Sequence, residues 1–257
     1  MMSLFRKIKL SYTLYILFFV YLISGLFKDI SVFFLIIFIH EIGHIIASIY
    51  YKWNIKKVDF TLAGGFITYE DEVDKPFKEE LIISVSGFIM QWIFFFFIFV
   101  LFKNNVINYK LYFMIKKYHL SIFFFNLMPI IPLDGSKILH TIICSLTYYK
   151  KALKISFIVS VISFIVLFYL YLSYGKGNFG MIIVFFFIIK KIITYLNNIP
   201  YLFNKVLLER YIKKRVYKKN NFIKKGKIEH FKRQKNNLFY NGKRYVSEYS
   251  ILKERFD

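Results

Sequence analysis

The stretch ISVFFLIIFIHEIGHIIASIY, residues 30 to 50, decides the fold. Apart from two serines and the polar group His40, Glu41 and His44, it is continuously apolar. A run of about 18 apolar residues or more crosses a hydrocarbon core roughly 30 Å thick as an α-helix. On such a helix, positions i and i+4 share a face, so His40 and His44 can offer imidazole nitrogens to one metal ion, with Glu41 beside it. At 1.5 Å per residue, His40 falls roughly 14 Å into the run, near the middle of the bilayer. A carboxylate there costs at least about 2.5 kcal/mol, and three polar groups at ligand spacing exceed what helix packing requires. Zinc lowers the pKa of a bound water towards about 7, and a neighbouring carboxylate can then take its proton. The spacing therefore supplies both a metal and a base.

The rest of the chain agrees with a membrane setting. Of 257 residues, 57% are hydrophobic and 22% aromatic, above the usual content of a soluble domain. Apolar blocks recur at 11–27, 81–102, about 111–131, 155–172 and 178–196. Together with 30–50 they predict an all-α polytopic membrane protein with six transmembrane helices. Arg6, Lys7 and Lys9 before the first block resemble the start of a secretory signal. No small-residue cleavage site follows, so a retained span is expected. Cys144 is the only cysteine and reads as a packing residue.

The net charge of +22 is confined mainly to alternate loops. Lys52, Lys56, Lys57, Lys150, Lys151, Lys154 and the segment after Pro200 would share one side with the amino terminus. The positive-inside rule makes that side cytoplasmic and puts both termini there, although Lys103, Lys110, Lys116 and Lys117 run against it. Residues 1–199 form the predicted membrane domain and 200–257 a basic cytoplasmic tail. Its charges suit anionic lipid better than nucleic acid, which is not an expected partner. Within the tail, Asn241-Gly242 predicts a type I′ hairpin turn, with a short helix through ILKERF after it. The acids of EDEVDKPFKEE (70–80) read as a solvated charged loop.

A catalytic zinc site normally takes three protein ligands. Of His119, His140, His230 and Asp134, the aspartate is the best candidate, because Pro129 and Pro132 of NLMPIIPLDG (126–135) break the helix beside it. Backbone freed at membrane depth must face protein or a wet cavity, as a site would.

HEIGH followed about ninety residues later by Asn126-x-x-Pro129-x-x-Pro132-Leu133-Asp134-Gly135 resembles the site-2 protease family of intramembrane metalloproteases, its sporulation branch above all. The resemblance covers roughly residues 1 to 212. It implies one catalytic zinc ion held by His40, His44 and Asp134, Glu41 as base, and Asn126 and Pro132 as substrate-positioning residues. It also implies that VDFTLAGGFITYE (58–70) is a membrane-associated β-hairpin, in which Gly64 and Gly65 supply the tight turn and an edge receives extended substrate. Ser86-Gly87-Phe88 and Gln91 depart from the family's usual Ala-Gly-Pro and later Asn, so Gln91 is read as a helix-to-helix hydrogen bond. The implied substrate is a membrane-associated protein, the pro-form of a sporulation sigma factor, with inhibitory membrane partners. A protease for an anti-sigma factor or a peptide precursor would carry the same core. The family branch ends in a nucleotide-binding CBS domain, for which the tail is too short. An ion transporter is the rival class, and it lacks the paired repeats usual there.

Overall fold

The computed structural model describes residues 8–10, 25, 27–61, 64–70, 74–174, 179–224 and 227–257. The expected first span, 11–27, lies outside the described residues apart from its last positions. In chain order the elements are strand β1 (Ile8–Leu10), helix α1 (Phe27–Tyr50), strands β2 (Ile55–Thr61) and β3 (Gly64–Tyr69), and helices α2 (Phe77–Lys103), α3 (Tyr109–Leu127), α4 (Asp134–Leu146), α5 (Tyr149–Tyr174) and α6 (Phe179–Lys213). Strands β4 (Asn220–Ile223), β5 (Asn236–Tyr240) and β6 (Tyr245–Ser247) and helix α7 (Glu248–Phe256) complete the described chain.

Four helices among the described residues are long and apolar enough to cross a membrane: Phe27–Tyr50, Phe77–Lys103, Tyr149–Ser173 and Gly180–Lys213. They are apolar on every side, and Phe96, Phe97, Ile162, Leu172 and Phe186 point outward, as a hydrocarbon solvent allows. Helix α3, the fourth expected span, carries Lys110, Lys116 and Lys117 and is not among the four. Helix α6 runs for 35 residues with Pro200 inside it, about 52 Å at 1.5 Å per residue, so it continues past the tail boundary read at that proline.

The chain divides into two compact units, Met1–Asp71 with Leu81–Met128, and Glu72–Glu80 with Pro129–Asp257. In the first, Ile36 and Ile37 of α1 pack with Ile98 of α2 and with Ile115 and Ile122 of α3. The Tyr118 hydroxyl donates to Asp29 at 2.8 Å. Strands β2 and β3 pair antiparallel, Thr61 opposite Gly64 and Phe60 opposite Gly65, while β1 pairs parallel with β2. The hairpin is therefore present, but Gly64 and Gly65 begin β3 instead of making the turn. Ile55 and Val58 bury the sheet against Phe34 and Ile45 of α1.

In the second unit, α5 and α6 share a core with α4 and the carboxyl-terminal segment, through Cys144, Leu153, Phe203, Leu207, Phe231 and Leu252. The break at Pro129–Pro132, which includes a cis Ile131–Pro132 bond, is satisfied by α5. Ile131 N–H donates to Ser160 Oγ at 3.2 Å, and that hydroxyl also lies 3.2 Å from the Pro129 carbonyl. Strand β4 lies parallel to β5 and β6 antiparallel to it. The hairpin turn is longer than a type I′ turn: Tyr240 pairs with Tyr245, so four residues close it, and Asn241 Oδ1 accepts from Lys243 and Arg244 N–H.

The acidic segment before α2 is not simply solvated. Asp74 is buried and takes the Arg233 Nε–H at 3.2 Å, the Tyr217 hydroxyl at 2.8 Å and the Arg210 guanidinium at 3.4 Å. Arg233 also pairs with Glu80, and it lies over the Phe77 and Tyr149 rings. Burial works against the charged Arg233 guanidinium, but Glu80 together with the other groups around it pushes its pKa up. A solvated loop was the expectation because nothing local in 70–80 announces arginines more than 130 residues away.

Candidate metal centre

Helix α1 buries His40, Glu41 and His44, each no more than 5% exposed. His44 Nδ1 lies 2.6 Å from the Ile83 carbonyl, which can only accept, so this nitrogen carries the proton. His40 Nδ1 meets Gln91 Oε1 at 3.1 Å. The orientation of that amide follows from its other end, where Gln91 Nε2 donates to the His119 carbonyl at 2.8 Å. Both imidazoles thus hold their protons on Nδ1, and their Nε2 lone pairs face each other across 3.1 Å.

Two such nitrogens at that distance repel unless a proton or a metal cation lies between them. Tetrahedral zinc with bonds of about 2.0–2.1 Å would separate two nitrogen ligands by about 3.3–3.4 Å, so the pair fits such an ion with little adjustment. Helix α2 leaves the space for it at Gly87. A β-carbon there would stand 2.7 Å from both His40 Nε2 and His44 Cε1. The donor set, the locked tautomers and the missing side chain agree with a zinc ligand pair.

Glu41 projects toward β3, where Gly65 N–H donates to its Oε1 at 3.2 Å. A β-carbon at Gly65 would lie 2.7 Å from Glu41 Oε2, so only glycine lets the strand pass this close to the carboxylate. The His44 carbonyl accepts from Ser48 Oγ at 2.7 Å, and Ser48 in turn lies 2.9 Å from the Tyr69 hydroxyl, joining α1 to the hairpin.

The first unit therefore brings His40, Glu41, His44 and Gly65 together. Gly64 opens the same strand, and Asn126 stands half-buried near the end of α3. Pro132 and Asp134 belong to the second unit. Asp134 is the first residue of α4, is buried, and pairs through Oδ1 with Lys137 Nζ at 2.7 Å. Among the other histidines, His119 supports Gln91 and stacks on Phe95 at 4.3 Å, while His140 meets Ser156 Oγ at 2.9 Å. Cys144 lies 3.3 Å from His140, but burial pushes its thiol up to about 12 and His140 down to about 3. That trio is a packed polar contact, not a nucleophile.

Gln91 is the interhelical bond its sequence suggested, and its acceptor end also orients the His40 ring. The Ile83 carbonyl, Gly87 and His119 were not singled out as site residues. Only the Ser-Gly of 86–87, at the place where the family has Ala-Gly-Pro, carried a signal for any of them.

The chain is 32% identical over 135 residues to stage IV sporulation protein FB of Bacillus subtilis, a match covering 52% of this chain and 47% of that protein. It is 29% identical over 153 residues to a zinc metalloprotease of Methanocaldococcus jannaschii, covering 55% of this chain and 44% of that one. The chain thus spans about half the length of these relatives. The solved structure of a site-2 protease from Methanocaldococcus jannaschii superposes with a TM-score of 0.55 at 26% identity, over 73% of this chain and 89% of that one. No family model matches. The chain is thus similar to site-2 proteases in sequence and in fold, and its apolar helices make it an integral membrane protein.

Proposed function

We propose that this protein is an intramembrane zinc endopeptidase that cuts a membrane-associated protein. The observation that carries the reading is the His40–His44 pair, with both Nδ1 protons engaged, both Nε2 lone pairs converging, and Glu41 beside them on an apolar helix. In this proposal His40, His44 and Asp134 hold one zinc ion. All three are buried, and two imidazoles with one carboxylate are a donor set suited to catalytic zinc. Zinc, when bound, supplies a Lewis acid and makes water acidic enough to attack at neutral pH. Glu41 takes the proton of the attacking water and delivers it to the departing amine.

Substrate must be extended at the cut, because helical carbonyls are occupied by their own hydrogen bonds. Strand β3 would receive it by strand addition at the edge that meets Glu41. Asn126 and Pro132, with Gly64 and Gly65, would position it. The finer proposals are six spans within residues 1–199, a basic tail over 200–257, both termini in the cytoplasm, a sporulation pro-sigma factor as substrate and inhibitory membrane partners. The last two rest on the motif resemblance to the sporulation branch.

The test is co-expression with membrane-tethered candidate substrates. Wild type should cleave, while Glu41→Gln should bind zinc normally and lose cleavage. Normal cleavage by a zinc-loaded Glu41→Gln protein would overturn the role of the base. Loss of zinc from Asp134→Ala, but not from Asn126→Ala, would support the third ligand.

A further inference from the structure

Between the amino-terminal end of α5 and the later half of α6 lies a cavity of about 570 Å³, within the range of about 300–1,000 Å³ that small ligands occupy. Its lining joins two chemistries. Lys150, Lys154 and Arg255 are its cations and Glu229 its one carboxylate, and Lys150 and Lys154 precede Ile158 on α5. Glu229 is engaged by Lys150 at 2.6 Å, and Arg255 is steadied by Asn204 Oδ1 at 3.0 Å. The remaining lining is apolar, and Ile158 and Leu196 are 53% and 45% exposed along it. From Lys150 to Ile158 is eight residues, about 12 Å along α5.

A soluble anion would engage the cations alone and leave the apolar length to bulk acyl chains. An apolar molecule would do the reverse. One amphiphile satisfies both, and α5 and α6 are two of the helices able to span the bilayer. Lysine and arginine at such helix ends hold their charge at headgroup level while their stems lie along apolar surface. We propose that this slot binds one anionic phospholipid, its phosphate between Lys154 and Arg255 and an acyl chain along Ile158 and Leu196. The site is independent of the zinc chemistry.

The test is native mass spectrometry of the full chain released from micelles doped with phosphatidylglycerol or phosphatidylcholine. Wild type should retain phosphatidylglycerol at least tenfold better. The double variant Lys154→Gln/Arg255→Gln should lose that preference, and Lys116→Gln/Lys117→Gln, exposed on α3 and outside the basic tail, should keep it. Ile158→Trp fills the apolar length without changing charge and should lower retention of both lipids, which tests the slot should the double variant not fold. The proposal is overturned if Lys154→Gln/Arg255→Gln keeps the preference, if the Lys116 and Lys117 pair controls it instead, or if Ile158→Trp changes nothing. Displacement by millimolar inorganic phosphate would assign the mouth to a soluble anion and overturn the lipid as occupant.

Discussion

In the proposed site His40 is oriented by the hydrogen bond its Nδ1–H donates to Gln91 Oε1, and Gln91 in turn donates to the His119 carbonyl. Loss of such a supporting hydrogen bond typically lowers metal affinity about 10–100-fold. Gln91→Leu should therefore weaken zinc by that factor in a chelator competition while the helices remain folded, and an unchanged affinity would mean that packing alone orients the ring. Gly65→Ala tests the neighbouring contact. Its methyl group would displace the Glu41 carboxylate, so cleavage should fall by about 10²-fold or more, the usual contribution of a general base, with zinc content unchanged. His40, Glu41 and His44 were legible because they lie within one helical turn and stand out in an apolar run. Gln91 and His119 were not legible as a unit, because 28 residues separate them and neither has a local pattern.

Helices are the elements that composition reveals best, since about 18 apolar residues in succession have few other uses. The short strands β1 and β4 leave no such mark, because each depends on a partner far along the chain, β1 on β2 and β4 on β5. The hairpin of β2 and β3 was legible, but its glycines were assigned to the turn. Gly65 is needed for close approach to Glu41, a demand from tertiary packing that a turn pattern imitates. The proline break before α4 was also legible, whereas its support was not. Ser160 sits in the middle of α5 and supplies the acceptor for Ile131 N–H. Ser160→Ala would leave that donor without its partner, and hydrogen bonds between membrane helices average about 0.6 kcal/mol. A destabilisation of roughly that size, reaching about 1–3 kcal/mol if the amide finds no other acceptor, is expected in denaturant unfolding from mixed micelles. No change would show that water reaches the break.

Within the second unit, the carboxyl-terminal segment is tied to residues 74–80 by ionic contacts as much as by apolar packing, a feature that a basic composition disguises as surface charge. Tyr217 gives this a pH signature. Burial, then the Asp74 carboxylate, pushes its hydroxyl up to about 12 from an ordinary value of 10.0. A raised folded-state value means that the neutral phenol contributes stability in full below about pH 10, and the contribution is lost as pH rises from there through about 12. Stability should fall over that window in wild type and fall less steeply in Tyr217→Phe, as followed by thermal unfolding. Arg233 is the larger test. It pairs with Asp74 and Glu80, and both it and Asp74 are buried, so removing its charge takes a cation from two carboxylates at once and leaves Asp74 to Arg210 and Tyr217. Breaking a buried pair from one side costs about 3–5 kcal/mol, whereas removing both charges together can cost much less. Arg233→Met should therefore open the carboxyl-terminal segment to protease cleavage beyond α6. Adding Glu80→Gln should restore part of the resistance, because it removes the carboxylate that Arg233 neutralises and leaves the Asp74–Arg210 pair in place. If Arg233→Met alone resists protease like wild type, the segment is held by the apolar cluster around Phe231 and Leu252, and the ion pairs are incidental to it.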